Sequence, residues 1–436
     1  MSRLKSRLVS GKRLHCGVKA APQYLTGLDI VNGHIGVPIV LVYPNGFDMA
    51  VFEQSLLETL KKYPIIAGRV KKDPQGHQYI DSNDAGIDFR VHRCDGVLPA
   101  YGHQQPFGDG IEKYFKRIFP WQVVNKDLAL FQVDVYQFDG KGIILCCHGV
   151  HTLMDGTAYW QFMLDWSKAC RGLASPAPDF GRDAVINAGK NNTELDMSGQ
   201  VYEPTWPKRI ALFCRLGMLA PTWKKGVYRI PASMVAQWKQ QAKNELPDTV
   251  GVSTVELVTA HCLKTLSPVM ASPKDRSVGI VLDLRHKRRL KIPRDYFGNA
   301  LGYAEAKYTR RELENESLPV LAQKCRPDSA SVSTESLFNF LTLMERFRQK
   351  KAIWRLFWKA AGETADAGMV LNNCIHFPIY EIDFGRGAPS WYDLCGVAFR
   401  MLMVVQTPDM DGGVDLHLTA QRKELQAMAK SCQPMS

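Results

Sequence analysis

Apolar residues recur along this chain at two different periods. The run Val37-Pro-Ile-Val-Leu-Val-Tyr43 is β-branched and ends at Pro44-Asn45-Gly46, so it reads as a strand followed by a turn. Asp48 then caps a predicted helix over residues 49–62, with Val51, Phe52, Leu56, Leu57 and Leu60 as its apolar face and Pro64 as its stop. A first strand is expected within residues 8–18. Alternating segments at Gln78–Ile80 and Asp88–Val91 are the pattern of an antiparallel sheet. Leu130–Tyr136, the Asp139-Gly140 turn and Gly142–Cys147 predict a hairpin. Its second strand runs into a polar turn around His151 and Asp155. Phe162, Met163 and Trp166 then recur at helical spacing, so a helix follows, capped between Asp155 and Thr157.

Between Ala174 and Pro221 the chain takes on loop chemistry, interrupted by one apolar helix over residues 209–219. A second half restarts with a strand at Gly226–Ile230, a helix over 232–244 and another begun by Ser253. The strand Val278–Leu282 leads into Asp283-Leu-Arg285. Residues 330–365 read as a long helical region. There Arg346, Arg348, Lys350, Lys351, Arg355 and Lys359 interleave with Phe347, Ile353, Trp354, Phe357 and Trp358. Ile375–Phe384, Gly396–Val405 and Gly412–Leu418 alternate like strands, and a last helix covers 419–430.

At 436 residues the chain can bury a large core, and it divides naturally into residues 1–175, a crossover at 176–222 and residues 223–436. No apolar run approaches the ~20 residues of a membrane span. The basic N-terminus lacks a secretory h-region, so a cytoplasmic protein is expected. Eleven cysteines are scattered without a Cys-x-x-Cys pair, which reads as buried thiols rather than disulfides or a metal site. The net charge of +12 asks for an anionic partner. The basic residues are dispersed rather than gathered in a nucleic-acid motif, so no nucleic acid is expected. The basic, Trp-bearing stretch near 345–360, with Trp206–Arg209 and Trp223–Lys225, has the composition of a helix resting weakly on anionic lipid. An ordinary helix burying its aromatics has the same pattern.

His151 at the end of a strand is the natural candidate for a general base, since a rigid element can hold an imidazole within reach of a substrate proton. Gly156 permits a close approach of ligand or backbone. His148, at an odd offset, faces the other side of the strand and reads as a core or surface histidine.

His151-Thr-Leu-Met-Asp155-Gly156 resembles the H-x-x-x-D-G signature of the BAHD acyl-CoA-dependent acyltransferases. Leu25-Thr-Gly-Leu-Asp29, Pro64-Ile-Ile-Ala-Gly-Arg69, Asp283-Leu-Arg285, Tyr296-Phe-Gly-Asn299 and Asp383-Phe-Gly-Arg-Gly387 resemble further motifs of that family, in its order. The resemblance implies an α/β fold of two pseudo-equivalent chloramphenicol-acetyltransferase-like domains, with mixed sheets flanked by helices and joined by a crossover loop. It implies acyl transfer from acyl-CoA, as co-substrate, to a small-molecule alcohol or amine. His151 would be the general base, with no covalent intermediate, no metal and no permanently bound cofactor. Asp155 and Gly156 would be structural at the turn, and Asp383 and Arg285 partners in a structural ion pair between distant strands. Asn372 stands where many plant members carry the Thr of Thr-Ser-Trp and would face the acceptor or the oxyanion. Arg288 and Arg289 would contact CoA phosphates. Both halves lie in one chain, which suits a monomer. Arg386 and the segment Asn372-Asn373-Cys374 depart from the family pattern, so acceptor identity does not carry over. Two alternatives stay open. One is a condensation-type or wax-ester-type acyltransferase using a carrier-protein or lipid substrate. The other is a non-catalytic basic binding protein on the same scaffold.

Overall fold

The computed structural model describes residues 6–101, 114–190, 200–326, 332–394, 397 and 399–432. The helix expected at 49–62 forms at Met49–Lys62, and the Asp48 side chain accepts from the amides of Ala50 and Val51. Phe52, Leu56 and Leu60, spaced four apart, are fully buried, whereas Val51 is exposed and Leu57 only partly covered. The apolar face is therefore narrower than the sequence pattern implies. It packs on the helix Gly156–Cys170. There Trp166 donates its indole N–H to the Phe52 carbonyl at 3.1 Å, so the largest buried ring leaves no orphan donor.

Two six-stranded mixed sheets carry the fold. The first runs Ser6–Leu14, Ile87–Val97, Phe131–Asp139, Ile143–Val150, Gly36–Tyr43 and Trp391–Leu394. Ile87–Val97 pairs antiparallel with Ser6–Leu14 but parallel with Phe131–Asp139, so the sheet is mixed rather than purely antiparallel. The second runs Trp223–Ile230, Val414–Gln421, Met401–Gln406, Gly368–Asn373, Arg276–Asp283 and Leu301–Tyr308. One apolar core lies under the first sheet and reaches residues of the second, including Val370, Met401 and Met403. Another lies on the second sheet's far face, around Leu371, Leu402 and Val404. Alternation along Gly368–Asn373 and Met401–Gln406 thus sends successive side chains to different cores.

Four expectations need correction. Trp391–Leu394 does not stay with the second half: it adds antiparallel to Gly36–Tyr43 at the edge of the first sheet. Residues 375–384 form no strand, only a turn and a 3-10 segment at Ile379–Glu381. The crossover holds more than one helix, with Asp183–Ala188 and the strand Val201–Tyr202 beside Trp206–Leu219. Residues 345–360 are not one helix. The helix Thr334–Gln349 ends, Lys351 takes φ +55°, and a 3-10 turn (Ile353–Arg355) and the short strand Phe357–Trp358 follow. Ile353 is buried there, and Phe347 and Trp358 pack on a core, so burial has claimed most of the apolar residues proposed for lipid.

Gly36 is required by packing. A Cβ there would lie 1.8 Å from Nε2 of the buried His148. Gly36→Ala should cost about 1–3 kcal/mol in urea unfolding. Gly251→Ala, where an added Cβ meets nothing within 4 Å, should stay within about 0.5 kcal/mol of the wild type.

Burial pushes the imidazoles of His34, His148 and His261 down to about 4. Unfolded, they would take protons near pH ~6.5. Over the interval between, the unfolded chain binds more protons, so their contribution is full above that pH and lost as pH falls toward 4. Stability should drop from pH 7 to pH 5, and His261→Phe should flatten that slope.

Candidate active site

The hairpin strand Ile143–Val150 ends at Val150, and the next residue is half-buried His151, whose amide donates to the Ile35 carbonyl at 2.8 Å. Asp155 is the N-cap of the following helix, its Oδ1 accepting from the Ala158 amide at 3.0 Å. Gly156 opens that helix, and a Cβ there would meet the Phe377 ring at 2.9 Å. The close approach is thus filled by this chain's own side chain, and it sets the segment after Gly368–Asn373 against the His151–Gly156 turn.

Asp155 does not form a dyad with His151. Its carboxylate takes both terminal nitrogens of Arg285, at 2.9 and 3.1 Å, and the Ala300 amide at 2.8 Å. Arg285 also donates to the carbonyls of Tyr296 and Gly298 and to Asp283. Burial alone would lower the affinity of this guanidinium for its proton, but Asp155 and Asp283 outweigh it and leave the pKa raised.

The expected Asp383–Arg285 ion pair is absent. Asp383 Oδ1 accepts from the amides of Gly385 and Gly387 at 2.7 and 2.8 Å, closing its own turn, with both glycines at positive φ. Phe384 anchors that turn among Tyr43, Phe47, Phe52 and Trp166. Arg285 takes Asp155 instead because the strand Arg276–Asp283 ends at the head of the Asp155-capped helix, where Thr157 Oγ1 donates to Asp283. Arg386, the departure from the motif, is exposed.

Asn299 is the partner of His151. Its Nδ2 donates to the His151 carbonyl at 2.9 Å and to Asp29 Oδ1 at 3.0 Å. Both are pure acceptors, so the amide orientation is settled and Oδ1 is the atom 3.1 Å from His151 Nδ1. Oδ1 can only accept, so His151 carries its proton on Nδ1 and presents a lone pair at Nε2. Asp29 is fully buried and held in turn by the Thr26 amide, the Asn299 amide and Arg182 Nε at 3.0 Å. Asp29 and Asn299 stand in motifs visible in the sequence, although the role of each was not. Arg182 belongs to the crossover and carries no sequence signal.

Asn372 lies near the end of Gly368–Asn373, partly buried, and its side chain makes no hydrogen bond among the described residues. Asn373 accepts from the Ile375 amide, and Cys374 is buried. Arg288 and Arg289 are exposed on the 3-10 turn Arg288–Leu290 and make no ion pair among the described residues. Among those residues no group of His, Cys, Asp and Glu could hold a metal, and no helix is long and apolar enough to cross a membrane.

A family model described as the Transferase family matches residues 25–435. The chain belongs to this family, that of the BAHD acyltransferases. It is 21% identical to shikimate O-hydroxycinnamoyltransferase of Nicotiana tabacum over 93% of each chain. It is 23% identical to a hydroxycinnamoyl-CoA:5-hydroxyanthranilate N-hydroxycinnamoyltransferase of Avena sativa, over 88% of this chain and 86% of the relative. The fold is similar to that of F. graminearum TRI101 complexed with ethyl coenzyme A, with a TM-score of 0.73 and 17% identity over 94% of this chain and 97% of the other. As a family member, the protein is an acyl-CoA-dependent transferase acting on hydroxyl or amine acceptors. The two-domain α/β architecture expected of the family is the one observed.

The two networks make separable predictions. In a double-mutant cycle, Arg285→Met and Asp155→Asn should couple by more than about 1 kcal/mol, and Arg285→Met with Asp383→Asn should add within about 0.5 kcal/mol. Asn299→Asp would set a carboxylate beside Nδ1 and favour imidazolium, moving the acid limb of the kcat/KM profile to higher pH. A purely structural role would lower the yield of folded enzyme and leave that limb in place.

Proposed function

We propose that His151 Nε2 is the general base of the transfer. The acceptor O–H or N–H gives its proton to Nε2 as the heteroatom attacks the thioester carbonyl. The tetrahedral oxyanion collapses, the carbon–sulfur bond breaks, and the departing sulfur takes the proton back from the imidazolium as CoA thiol. The observation that carries this reading is the Asn299 lock, which fixes the tautomer with its lone pair at Nε2. It requires no acyl-enzyme intermediate and no permanently bound cofactor.

Asn372, with an amide that no other described side chain or backbone group engages, is the donor we assign to the oxyanion. Arg288 and Arg289, exposed and free of ion pairs among the described residues, are assigned to the CoA phosphates. Asp155, Gly156, Arg285 and Asp383 are structural in this reading. The relatives named above act on shikimate and on 5-hydroxyanthranilate, which suits a small polar acceptor. Asn372-Asn373-Cys374 leaves that acceptor's identity to experiment. One chain supplies both halves around His151, so we propose a monomer, acting in the cytoplasm.

Thiol release from a panel of short, long and aromatic acyl-CoAs tests this directly. His151→Ala should lower the rate about a hundred- to ten-thousandfold, and Asn372→Ala about a hundredfold. Neither should lose thermal stabilisation by CoA. Activity surviving in His151→Ala would overturn the assignment. CoA failing to stabilise either protein, with acyl transfer from a carrier protein instead, would favour the condensation-type alternative.

A further inference from the structure

The helix Trp206–Leu219 is inverted. A surface helix normally buries its apolar stripe and shows water its charges. Here the one buried residue in 14 is Arg209, while Trp206, Ile210, Phe213 and Met218 are 65, 59, 55 and 71% exposed. Trp206, Ile210 and Phe213 recur at offsets of four and three and so share one face. Arg209, at offsets of three from Trp206 and four from Phe213, borders that same face and anchors it. Its guanidinium lies 5.0–5.2 Å from the rings of Trp206, Trp354 and Phe357 and donates to the carbonyls of Trp354 and Arg355. Trp354, itself 59% exposed, is thereby fixed beside Trp206, extending the apolar face with a second indole.

The charge around this face is mainly basic, although Asp366 lies 3.7 Å from Arg215 and Glu203 pairs with Arg355. The helix contains Lys208, Arg209 and Arg215 and no acidic residue, and exposed Lys350 and Lys351 precede Trp354. A second copy of the chain would bring this basic face against another like it. An anionic lipid surface meets it with opposite charge, accepts aliphatic and phenyl side chains among its acyl chains, and favours indoles at the headgroup level. We propose that the Trp206–Leu219 helix, with Trp354, is an interfacial docking surface for anionic bilayers. It would hold the enzyme reversibly at a membrane without spanning it. The surface lies on the crossover rather than on the stretch near 345–360 as a whole, where Phe347 and Trp358 pack on a core and Phe357 packs against Phe213.

Co-sedimentation of the full-length protein with phosphatidylcholine vesicles, with and without phosphatidylserine, tests the proposal and needs no assay of acyl transfer. Binding should require phosphatidylserine and weaken with added salt. Ile210→Glu with Phe213→Glu should reduce binding at least about tenfold, with an unchanged thermal melt. If that pair misfolds, Lys208→Glu with Arg215→Glu serves the same purpose through charge. Absence of binding by the wild type, or equal binding by the variants, would overturn the proposal. So would lipid-free self-association that the Ile210/Phe213 substitutions abolish, which would make a second copy the occupant.

Discussion

The buried ion pair of Arg285 with Asp155 ties the segment after the second sheet's strand Arg276–Asp283 to the helix that follows His151. Moving a guanidinium and a carboxylate out of water costs several kcal/mol for each ion, and attraction alone does not reliably return it. At Arg285 the cost is offset because the remaining polar valences are also filled. Asp155 takes two guanidinium nitrogens and two backbone amides. Arg285 reaches two carbonyls and Asp283 besides. Such a pair specifies geometry rather than adding stability. It fixes the Asp155-capped helix against the 283–300 connection, and so fixes where the His151 turn stands relative to Asn299.

A second chain of contacts, from Arg182 through Asp29 and Asn299 to His151, begins from four segments remote in sequence. Its consequence is chemical. A histidine with a free ring would divide between two tautomers, and only one of them offers Nε2 as a base. Because Asn299 is itself oriented by two pure acceptors, the choice is made before any substrate arrives. This is preorganisation in its plain sense: the reorientation has been completed during folding. The crossover takes part on both sides. Arg182 enters this network, and the helix Trp206–Leu219 remains on the surface with its apolar face outward.

Much of the fold was legible along the chain. The Met49–Lys62 helix, its Asp48 cap, the hairpin that delivers His151 and the Ser253-capped helix follow from periodicity and capping chemistry, both of which act within a few residues. His151, Asp155 and Gly156 could be singled out as a group because one strand and one helix N-terminus place them. The limits of this reading are equally physical. Alternation at 375–384 suggested a strand, but the backbone there closes local turns, with Phe377 donating to Cys374 and Glu381 to Pro378. Interleaved charges and aromatics near 345–360 fit either a lipid face or a core face, and only packing separates the two.

The sequence by itself determined many of the local elements, the turn from His151 to Gly156 and the family, since each rests on patterns spanning few residues or on short motifs in a fixed order. Tertiary structure alone decided which charges meet. Asp155 rather than Asp383 takes Arg285, Asn299 rather than Asp155 takes His151, and Arg182 closes the site from a segment with no motif. Trp391–Leu394 likewise joins the first sheet across the whole chain. Ion pairs and strand partners of this kind are set by distances in space, and a carboxylate carries no local mark of which arginine will reach it.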